Sequence, residues 1–508
     1  MPDVPRRHPI ARTMLRLLGG SVLIALLATA ASATTFFEGV GIVADALGHG
    51  ALLSNKGLAP THAGQPITIL VLGSDRREES SIAEDRADPR HSDTIMLIHM
   101  DPKLGETSLM SVPRDLQASF TAFGQTYSDV KINSAFTYGG PPATVRTVEH
   151  LLHIKINDVI VIDFQAFAFL VNGLGCVYVD VDHHFYNPGY GDGYAHIDIA
   201  PGYRPLCYYQ ALSYVRYREG DSTYARDARE QDFLRQAKQQ LSVSSLLTNP
   251  AKLKKVLDQV ASGTSSNISG SNAVLRLVEI AEDSVNGPVR QVQFPDDGSV
   301  SSPTSGSEQV DPSPAQINGV VQDFLYDNTT ALLPPKSSAP THGKHHHHHH
   351  STGTSAADLG LVAVPSYAMT DARDMQVNVP FPVEIPTLTP ASGFFPGDDD
   401  FYPFKEVVPQ TASYPGLKYA GYRITWEDGS ALGAYFGIDG LNWTNPPLFH
   451  NAPTREIDGR TYMFVLNGKS YQDIGWIKGN WIYWVSNTIF DNLSNAALLR
   501  MAESAVQV

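Results

Sequence analysis

The chain has 508 residues, and its 37 lysines and arginines against 52 aspartates and glutamates leave a formal charge of −15. At roughly 100–200 residues per domain, this length predicts two or three domains. The acidic balance opposes the phosphate contacts that dominate affinity for nucleic acid, so no nucleic-acid partner is expected. A local cluster of arginines can still bind a phosphorylated small molecule, because distant charge is screened over about 10 Å.

The N-terminal segment, residues 1–37, predicts a short cytoplasmic tail and a membrane anchor. Arginines at positions 6, 7, 12 and 16 precede residues 17–37, which carry no charge and include an apolar run at 22–27. Such a stretch can cross a bilayer as a helix, and the positive charges before it predict a single-pass protein of the cell membrane with its N-terminus in the cytoplasm and its body outside. The alternative is a cleaved signal peptide, because Ala31, Ser32 and Ala33 have the small-residue form of a cleavage site. If residues 1–37 are the tail and anchor, residues 38–65 form a juxtamembrane segment.

Residues 66–295 alternate strand-like and helical segments, which is the pattern of an α/β domain with a central sheet flanked by helices. Runs of β-branched and apolar residues predict strands at 67–72, 94–100, 107–112 and 159–162. Helical spacing predicts helices at 145–152, 164–170, 209–217, 225–241, 251–260 and 273–285. Gly173 and Gly175 are expected to end the second of these helices.

The remaining third of the chain predicts a linker and a second, smaller domain. Residues 296–357 are rich in Ser, Pro and His, with one amphipathic helix expected at 317–325. The six histidines at 345–350 indicate adventitious metal binding or an inserted purification tag rather than a functional site. Residues 358–508 contain all five tryptophans and two turn-forming pairs, Asp428-Gly429 and Asn467-Gly468, so we expect β-hairpins in a mostly β domain with a helix at 492–502. Its expected role is binding or spacing.

Two acids and an arginine stand at the ends of the first three predicted strands. Asp75 follows the first strand, Asp93 precedes the second, and Arg114 follows the third together with Asp115. If the strands form an antiparallel meander, these ends share one edge of the sheet. Carboxylate oxygens suit Mg²⁺, which takes one or two carboxylates and completes its shell with water and phosphates. Asp75 and Asp93 are therefore the predicted metal ligands.

Four arginines farther along the chain form a candidate phosphate clamp. Arg216 and Arg218 lie at the end of one predicted helix, and Arg226 and Arg229 lie one turn apart on the next. A guanidinium group can donate two hydrogen bonds to phosphate oxygens and does not lose its charge. This set of arginines is therefore suited to a pyrophosphate. The alternative is ordinary surface ion pairing, with partners that include Glu219, Asp221, Asp227 and Glu230.

The only two cysteines, Cys176 and Cys207, both fall in the part of the chain that is predicted to be exported. An oxidising compartment lets disulfides persist, so a bridge between them is expected. The alternative is two free, buried thiols that pack as small hydrophobic side chains.

Five segments occur in an order that resembles the LytR-CpsA-Psr family: 73–77, 91–94, 111–115, 131–136 with Gly139-Gly140, and 210–218, followed by 226–231. The resemblance covers roughly residues 66–240. It implies an α/β/α fold with an apolar cleft for a lipid, and Mg²⁺-dependent transfer of glycopolymers to peptidoglycan. By motif, Asp75 and Asp93 match the metal-linked acids of the family. Arg114, Arg216 and Arg218 match its pyrophosphate-contacting arginines. Arg77 matches the arginine two positions after the first Asp and is a further predicted pyrophosphate contact.

The sequence departs from the family pattern in three places. His91 occupies the position where the family usually has arginine before Ser-Asp, and an insertion at 78–90 separates the two acids. Cys176 and Cys207 replace a glycine and an acidic residue that are common in the family, and this paired replacement supports a bridge between the two loops. The C-terminal domain does not resemble the small domain that the family often carries.

These features predict a phosphotransferase that moves a glycopolymer from a polyprenyl-pyrophosphate carrier at the membrane to peptidoglycan. Asp93, Arg114, Arg216 and Arg218 are its expected catalytic residues, with Asp93 and Asp115 as candidate proton acceptors. Lys131 and Asn133 are candidate substrate contacts. The alternatives are a pyrophosphatase that uses water as the acceptor, a glycan-binding scaffold without activity, and a transcriptional attenuator. The acidic charge and the absence of a recognisable helix-turn-helix motif argue against the last.

Overall fold

The computed structural model describes residues 37–44, 51–62, 64–74, 91–189, 196–219, 221–240, 249–285, 289–295, 299–301, 308–327, 331–336, 354–394, 401–408, 416–429 and 432–508. Within these ranges no helix is long and apolar enough to cross a membrane. The predicted anchor lies outside them apart from Phe37, as do Asp75, Arg77 and the histidine run.

The first domain is built on a mixed seven-stranded sheet. Its strands and those of the smaller ribbons beside it are β1 (Ala51–Leu52), β2 (Ile67–Ser74), β3 (Ser92–Asp101), β4 (Glu106–Ser111), β5 (Gln117–Ala122), β6 (Gln125–Lys131), β7 (Asp158–Asp163), β8 (Val177–Val181), β9 (Phe185–Asn187), β10 (Ile197–Ile199), β11 (Gly202–Leu206), β12 (Thr264–Ser266), β13 (Val289–Val292), β14 (Ser299–Ser301) and β15 (Glu308–Val310). The order of the main sheet is β1-β12-β7-β2-β3-β4-β13. The predicted meander is present, because β2 pairs antiparallel with β3 and β3 with β4.

Helices cover both faces of this sheet. They are α1 (Ser134–Leu152), α2 (Phe164–Leu174), α3 (Tyr208–Arg216), α4 (Thr223–Gln240), α5 (Pro250–Val260), α6 (Ser271–Val285) and α7 (Pro314–Tyr326). On one face, Val148 of α1 and Phe324 of α7 pack with Leu72 and Leu97 of the sheet. On the other, Ile280 of α6 packs against Ile67 and its neighbours. The alternation of apolar segments therefore forms the expected sheet flanked by helices.

The helix predicted inside the linker belongs to the first domain. Helix α7 begins with a capping box at Ser313 and Gln316, and Ile317 and Phe324 are buried in the core of the main sheet. Strand β15 also reaches the domain through a bridge between Val310 and Leu116. The boundary predicted at residue 295 is corrected, because burial of the apolar face of α7 extends the first unit to Tyr326.

The second domain is mostly β, as predicted. Its strands are β16 (Leu361–Ala363), β17 (Glu384–Pro386), β18 (Leu388–Pro390), β19 (Gly393–Phe394), β20 (Phe401–Val407), β21 (Lys418–Asp428), β22 (Tyr435–Leu441), β23 (Thr454–Ile457), β24 (Arg460–Asn467), β25 (Ser470–Lys478), β26 (Trp481–Ser486) and β27 (Ala505–Gln507), and its helices are α8 (Ser366–Met375) and α9 (Asn495–Ser504). Eight strands form one antiparallel sheet in the order β19-β21-β22-β26-β25-β24-β23, with β20 also paired to β21. Gly468 and Lys469 form the tight turn between β24 and β25, so the hairpin predicted at Asn467-Gly468 is present.

The large sheet of the second domain is covered on both faces. Trp426, Trp476 and Ile438 belong to a core that includes residues of α8 and α9. On the other face, Trp484 and Leu441 share a buried cluster with Tyr178 and Tyr203 of the first domain. Most of the aromatic residues are thus explained by packing, and the C-terminal sheet lies directly against the first domain.

Candidate active site

The meander brings Asp93 and Arg114 together at one edge of the main sheet. Ser74 pairs with Ser92 and Met96 with Ser111, so the end of β2, the start of β3 and the segment after β4 are neighbours. Nη1 of Arg114 lies 2.5 Å from Oδ1 of Asp93. Asp75 directly follows Ser74 in the chain but lies outside the described residues.

Asp93 is held in its charged form. Burial raises its pKa, but the charge and the hydrogen bond of Arg114, together with the charges of Arg226 and Arg216, outweigh burial, and the net pKa is lowered. An ionised carboxylate at this edge can neutralise a bound cation or balance the arginines around it.

A cavity of about 270 Å³ opens beside this pair. Four of the predicted arginines line it, namely Arg114, Arg216, Arg218 and Arg226. The lining also contains the carboxylates of Asp93, Glu219 and Glu230 and the apolar side chains of Phe164 and Ile197. The guanidinium carbon of Arg216 lies 3.9 Å from the centre of the Phe164 ring, a cation–π contact. Residues that are far apart in the chain therefore form one basic concave site.

Helix α4 contributes two arginines that play different parts. Arg226 lines the cavity and is buried, with Nη2 2.6 Å from Oδ1 of Asp227. Burial opposes its charge, but Asp227 and Glu230 raise the pKa of Arg226 above its ordinary value. Arg229 is not part of the cavity lining; it pairs with Asp221. The ion-pair partners expected for these two arginines are present, but the pairs are buried rather than on the surface.

Glu230 is a cavity residue that the sequence reading treated only as an ion-pair partner. Its Oε1 accepts a hydrogen bond of 2.9 Å from Thr94, and among the described residues its buried Oε2 has no hydrogen-bond partner. Burial first, with Asp227 and Asp93 adding repulsion, raises the pKa of Glu230 to about 8. The signal in the sequence was its position four residues after Arg226, which puts both side chains on one face of α4.

Asp115, Lys131 and Asn133 lie beside the cavity but are not part of its lining. Oδ1 of Asp115 is 2.7 Å from Nζ of Lys131, and Oδ2 is 3.6 Å from Nε of Arg114. Asn133 is buried at the start of α1, and its backbone N–H donates to the carbonyl of Arg114. These contacts support the loop that carries Arg114.

The donor set is compatible with Mg²⁺. Across the described ranges no group of three or more His, Cys, Asp or Glu side chains is placed to hold a metal ion. Mg²⁺ requires only one or two carboxylates, and Asp93 supplies one that is ionised and lines the cavity. The chemistry of the residues present therefore fits this ion.

Cys176 and Cys207 form a disulfide, with their Cα atoms 4.5 Å apart. Cys176 follows the end of α2 at Gly175, and Cys207 is the residue that precedes α3. The disulfide therefore links the end of α2 to the start of α3. Helix α3 ends at the cavity residue Arg216.

The fold and the basic site agree with the class of protein that the motifs resemble, and comparison with known sequences shows the family. The sequence model of the LytR-CpsA-Psr family matches residues 48–317, more than half of the chain. The chain belongs to the LytR-CpsA-Psr family. The matched region ends within α7, so the large C-terminal sheet lies outside it.

Curated relatives match part of the chain. A polyisoprenyl-teichoic acid–peptidoglycan teichoic acid transferase, TagV of Bacillus subtilis, is 31% identical over 179 residues, which are 35% of this chain and 45% of the relative. A transferase of the same description, TagU of Halalkalibacterium halodurans, is 29% identical over 208 residues, 41% of this chain and 62% of the relative. The match thus spans about half the length of these relatives.

Similar solved structures include B. subtilis TagV, with a TM-score of 0.41, 23% identity and coverage of 52% of this chain and 98% of that chain. A protein from Streptococcus agalactiae has a TM-score of 0.44 and 24% identity, and the match covers 51% of this chain and 86% of that chain.

Proposed function

We propose that this protein is a phosphotransferase that moves a glycopolymer from a polyprenyl-diphosphate carrier to peptidoglycan. The observation that carries the proposal is the cavity, which is lined by four arginines and by the ionised carboxylate of Asp93. Phosphoryl transfer depends mainly on positioning and on neutralising charge, and guanidinium groups in a partly enclosed site do both. The names of the relatives, which are transferases of teichoic acid to peptidoglycan, support the same reaction class.

In the proposed reaction, a hydroxyl of the wall glycan attacks the phosphorus that is linked to the sugar. A phosphodiester forms between glycopolymer and wall glycan, the bond to the bridging oxygen breaks, and polyprenyl phosphate leaves with the electron pair of that bond. The hydroxyl proton passes to a base and then to water. Arg114, Arg216 and Arg218 bind the diphosphate oxygens and stabilise the charge that grows on the leaving phosphate.

Asp93 would hold Mg²⁺ together with Asp75, and the ion when bound supplies further positive charge beside the diphosphate. Asp93 also orients Arg114 through their 2.5 Å ion pair. Of the two acids considered as proton acceptors, Asp93 lines the cavity, whereas Asp115 is held by Lys131 outside the lining. Asp93 is therefore the better placed of the two.

A pyrophosphatase would use the same clamp, with water in place of the glycan hydroxyl. The test is to incubate the protein with Mg²⁺ and a labelled polyprenyl-diphosphate saccharide, with and without peptidoglycan. We expect label on the peptidoglycan and release of polyprenyl phosphate only when peptidoglycan is present. Equal release of free phosphorylated saccharide in both incubations would instead establish hydrolysis. Asp93→Asn should raise the Mg²⁺ concentration needed for transfer or abolish the reaction, and an inert parent protein would favour a non-catalytic scaffold.

We further propose that residues 17–37 anchor the protein in the cell membrane, with the N-terminus in the cytoplasm and the site outside. The arginines at 6, 7, 12 and 16 and the uncharged span after them support this orientation. Protease added to the outer side of intact cells should degrade the body of the protein. Protection of the body would contradict the orientation, and recovery of a mature chain that starts after Ala33 would indicate a cleaved signal peptide.

A further inference from the structure

Arg229 lies one turn from Arg226 but makes its contacts away from the cavity. It is 2% exposed, and its guanidinium pairs with Asp221 and lies over the ring of Phe185 at 4.7 Å. Its Nη1 donates a hydrogen bond of 2.9 Å to the carbonyl of Tyr217. Nη2 of Arg229 is thus bonded to an acid and Nη1 to a backbone carbonyl. Arg229 is therefore not placed to bind a phosphate.

The carbonyl that Arg229 binds belongs to the residue between two cavity arginines. Tyr217 separates Arg216 from Arg218, and the segment is the point where α3 ends. A partly buried hydrogen bond to this carbonyl restricts the backbone from which both guanidinium groups project. Small errors in the placement of substrate-binding groups lower transfer rates strongly, so the contact is in a position to affect the diphosphate site.

The C-terminal domain covers the acid that holds Arg229. Gly433, in the loop between β21 and β22, has φ +83, and a Cβ at this position would lie 2.8 Å from Oδ1 of Asp221 and 2.8 Å from Cβ of Ala225. Real Cβ atoms do not approach other atoms so closely. The loop therefore rests on the start of α4, and only glycine allows that approach.

We propose that Arg229 and Asp221 are positioning residues for the Arg216–Arg218 backbone, and that the loop at Gly433 makes the C-terminal domain part of the diphosphate site. The inference rests on the proposed function, since it names what controls the affinity of the same site. The chain of contacts runs from Gly433 to Asp221, from Asp221 to Arg229, and from Arg229 to the carbonyl of Tyr217. The second domain then has a role other than that of a separate binding module or spacer.

The test compares Gly433→Ala with Gly360→Ala in the full chain. Gly360 is in the same domain with φ +70, but a Cβ there would meet no atom within 4 Å, so the control carries similar backbone strain without the contact. Binding of inorganic pyrophosphate in the presence of Mg²⁺ is measured by calorimetry. We expect about tenfold weaker binding for Gly433→Ala, and a higher KM for the lipid-linked substrate with a smaller change in kcat. The control should remain within twofold of the parent.

Hydrogen exchange of the peptide that spans residues 213–219 gives a second readout that needs no ligand. Exchange should be faster in Gly433→Ala and in Asp221→Asn, and unchanged in Gly360→Ala. Asp221→Asn preserves the size of the side chain and serves if Gly433→Ala does not fold. Unchanged exchange in both variants, or equal changes in the control, would overturn the positioning role. If the parent protein does not bind pyrophosphate but the exchange still changes, the proposed function fails while the coupling between the domains stands.

Discussion

The two halves of helix α4 face two charged clusters with opposite properties. The first half contributes Arg226 and Glu230 to the cavity of about 270 Å³. The second half contributes Asp232 and Arg235 to a small space of about 30 Å³ between the domains, which Asp473 also lines. The first space can accept a phosphorylated group, whereas the second has room for about one water molecule. Similar side chains on one helix therefore line the proposed binding site in one place and the domain interface in the other.

Individual acids of the two clusters show opposite pKa shifts, although the division is not complete, since the pKa of Glu230 is raised in the larger cavity and that of Asp182 is lowered at the interface. At the larger cavity the arginines outweigh burial and lower the pKa of Asp93. At the domain interface burial is the largest effect, and the pKa values of Asp439 and Asp473 are raised well above their ordinary range. A carboxylate that remains charged can act on a substrate or a cation, while one that burial drives toward the neutral form mainly contributes hydrogen bonds. Charge content alone therefore does not identify the functional cluster.

The largest expected effect is loss of stability on breaking the interface cluster. Nη1 of Arg423 lies 3.0 Å from Oδ1 of Asp180 and 2.5 Å from Oδ2 of Asp439, and all three side chains are buried. Arg423→Ala should lower the free energy of unfolding by about 3–5 kcal/mol, because it leaves the buried carboxyl groups of Asp180 and Asp439 without their partner. Denaturant unfolding measures the loss.

The control for this variant is Lys254→Ala, which breaks a pair whose two side chains are 62% and 60% exposed. Its cost should be at most about 1 kcal/mol. Equal losses in the two variants would remove the distinction between the clusters.

Arg218→Ala should show the opposite pattern, with a large loss of activity and little loss of stability. Arg218 lines the larger cavity, and we expect transfer to fall about 10²–10³-fold if its guanidinium stabilises the leaving phosphate. Arg218→Lys should not restore the parent rate, because an ammonium group lacks the planar fork. The measurement is initial transfer rate at saturating substrate.

Arg500→Ala, at an exposed pair with Glu503, provides the matched control and should keep the parent rate. Parent-level transfer by a folded Arg218→Ala variant would show that the cavity is not the reaction site.

The disulfide should stabilise the domain that carries the cavity. Cys176 and Cys207 are separated by 31 residues in the sequence, and closing a loop of this size restricts the unfolded chain. Replacing both by alanine should lower the free energy of unfolding by about 2–4 kcal/mol. Thiol labelling of the denatured, unreduced parent should be near zero, and stoichiometric labelling would show that the bridge does not form.

Local patterns in the sequence were sufficient to predict the sheet edge of the site. The apolar runs of β2, β3 and β4 indicated a meander, and antiparallel pairing then required Asp93 and Arg114 to be neighbours. The position of Arg229 could not be predicted in the same way. Arg226 and Arg229 lie within one turn of α4, but only Arg226 lines the cavity. Which side of the helix faces the cavity depends on the elements that pack around it, and the sequence of the helix does not specify those.

The contacts between the domains were not predictable for a related reason. Arg423 and Asp180 are 243 residues apart, and neither stands in a motif that indicates its partner. The amphipathic pattern of α7 correctly predicted a helix, but not that its apolar face is buried on the first domain. Local periodicity specifies an element, whereas docking depends on the complementary shape and charge of distant surfaces.

Glu230 provides the most specific test, because its pKa is raised although it lines the same cavity as Asp93. Burial raises its pKa from 4.5 to about 8, so the folded state favours the protonated carboxyl. The corresponding stability is fully present below pH 4.5 and is lost as the pH rises through about 8, with a slope of at most about 1.4 kcal/mol per pH unit. Glu230→Gln keeps an oxygen for Thr94 but does not titrate, so its stability relative to the parent should increase between pH 5 and pH 9. Denaturant unfolding at several pH values measures this difference, in which the titration of all other groups largely cancels. A difference that stays constant across the range would mean that Glu230 is ionised in the folded protein, and its carboxylate would then join Asp93 as a charged group of the site.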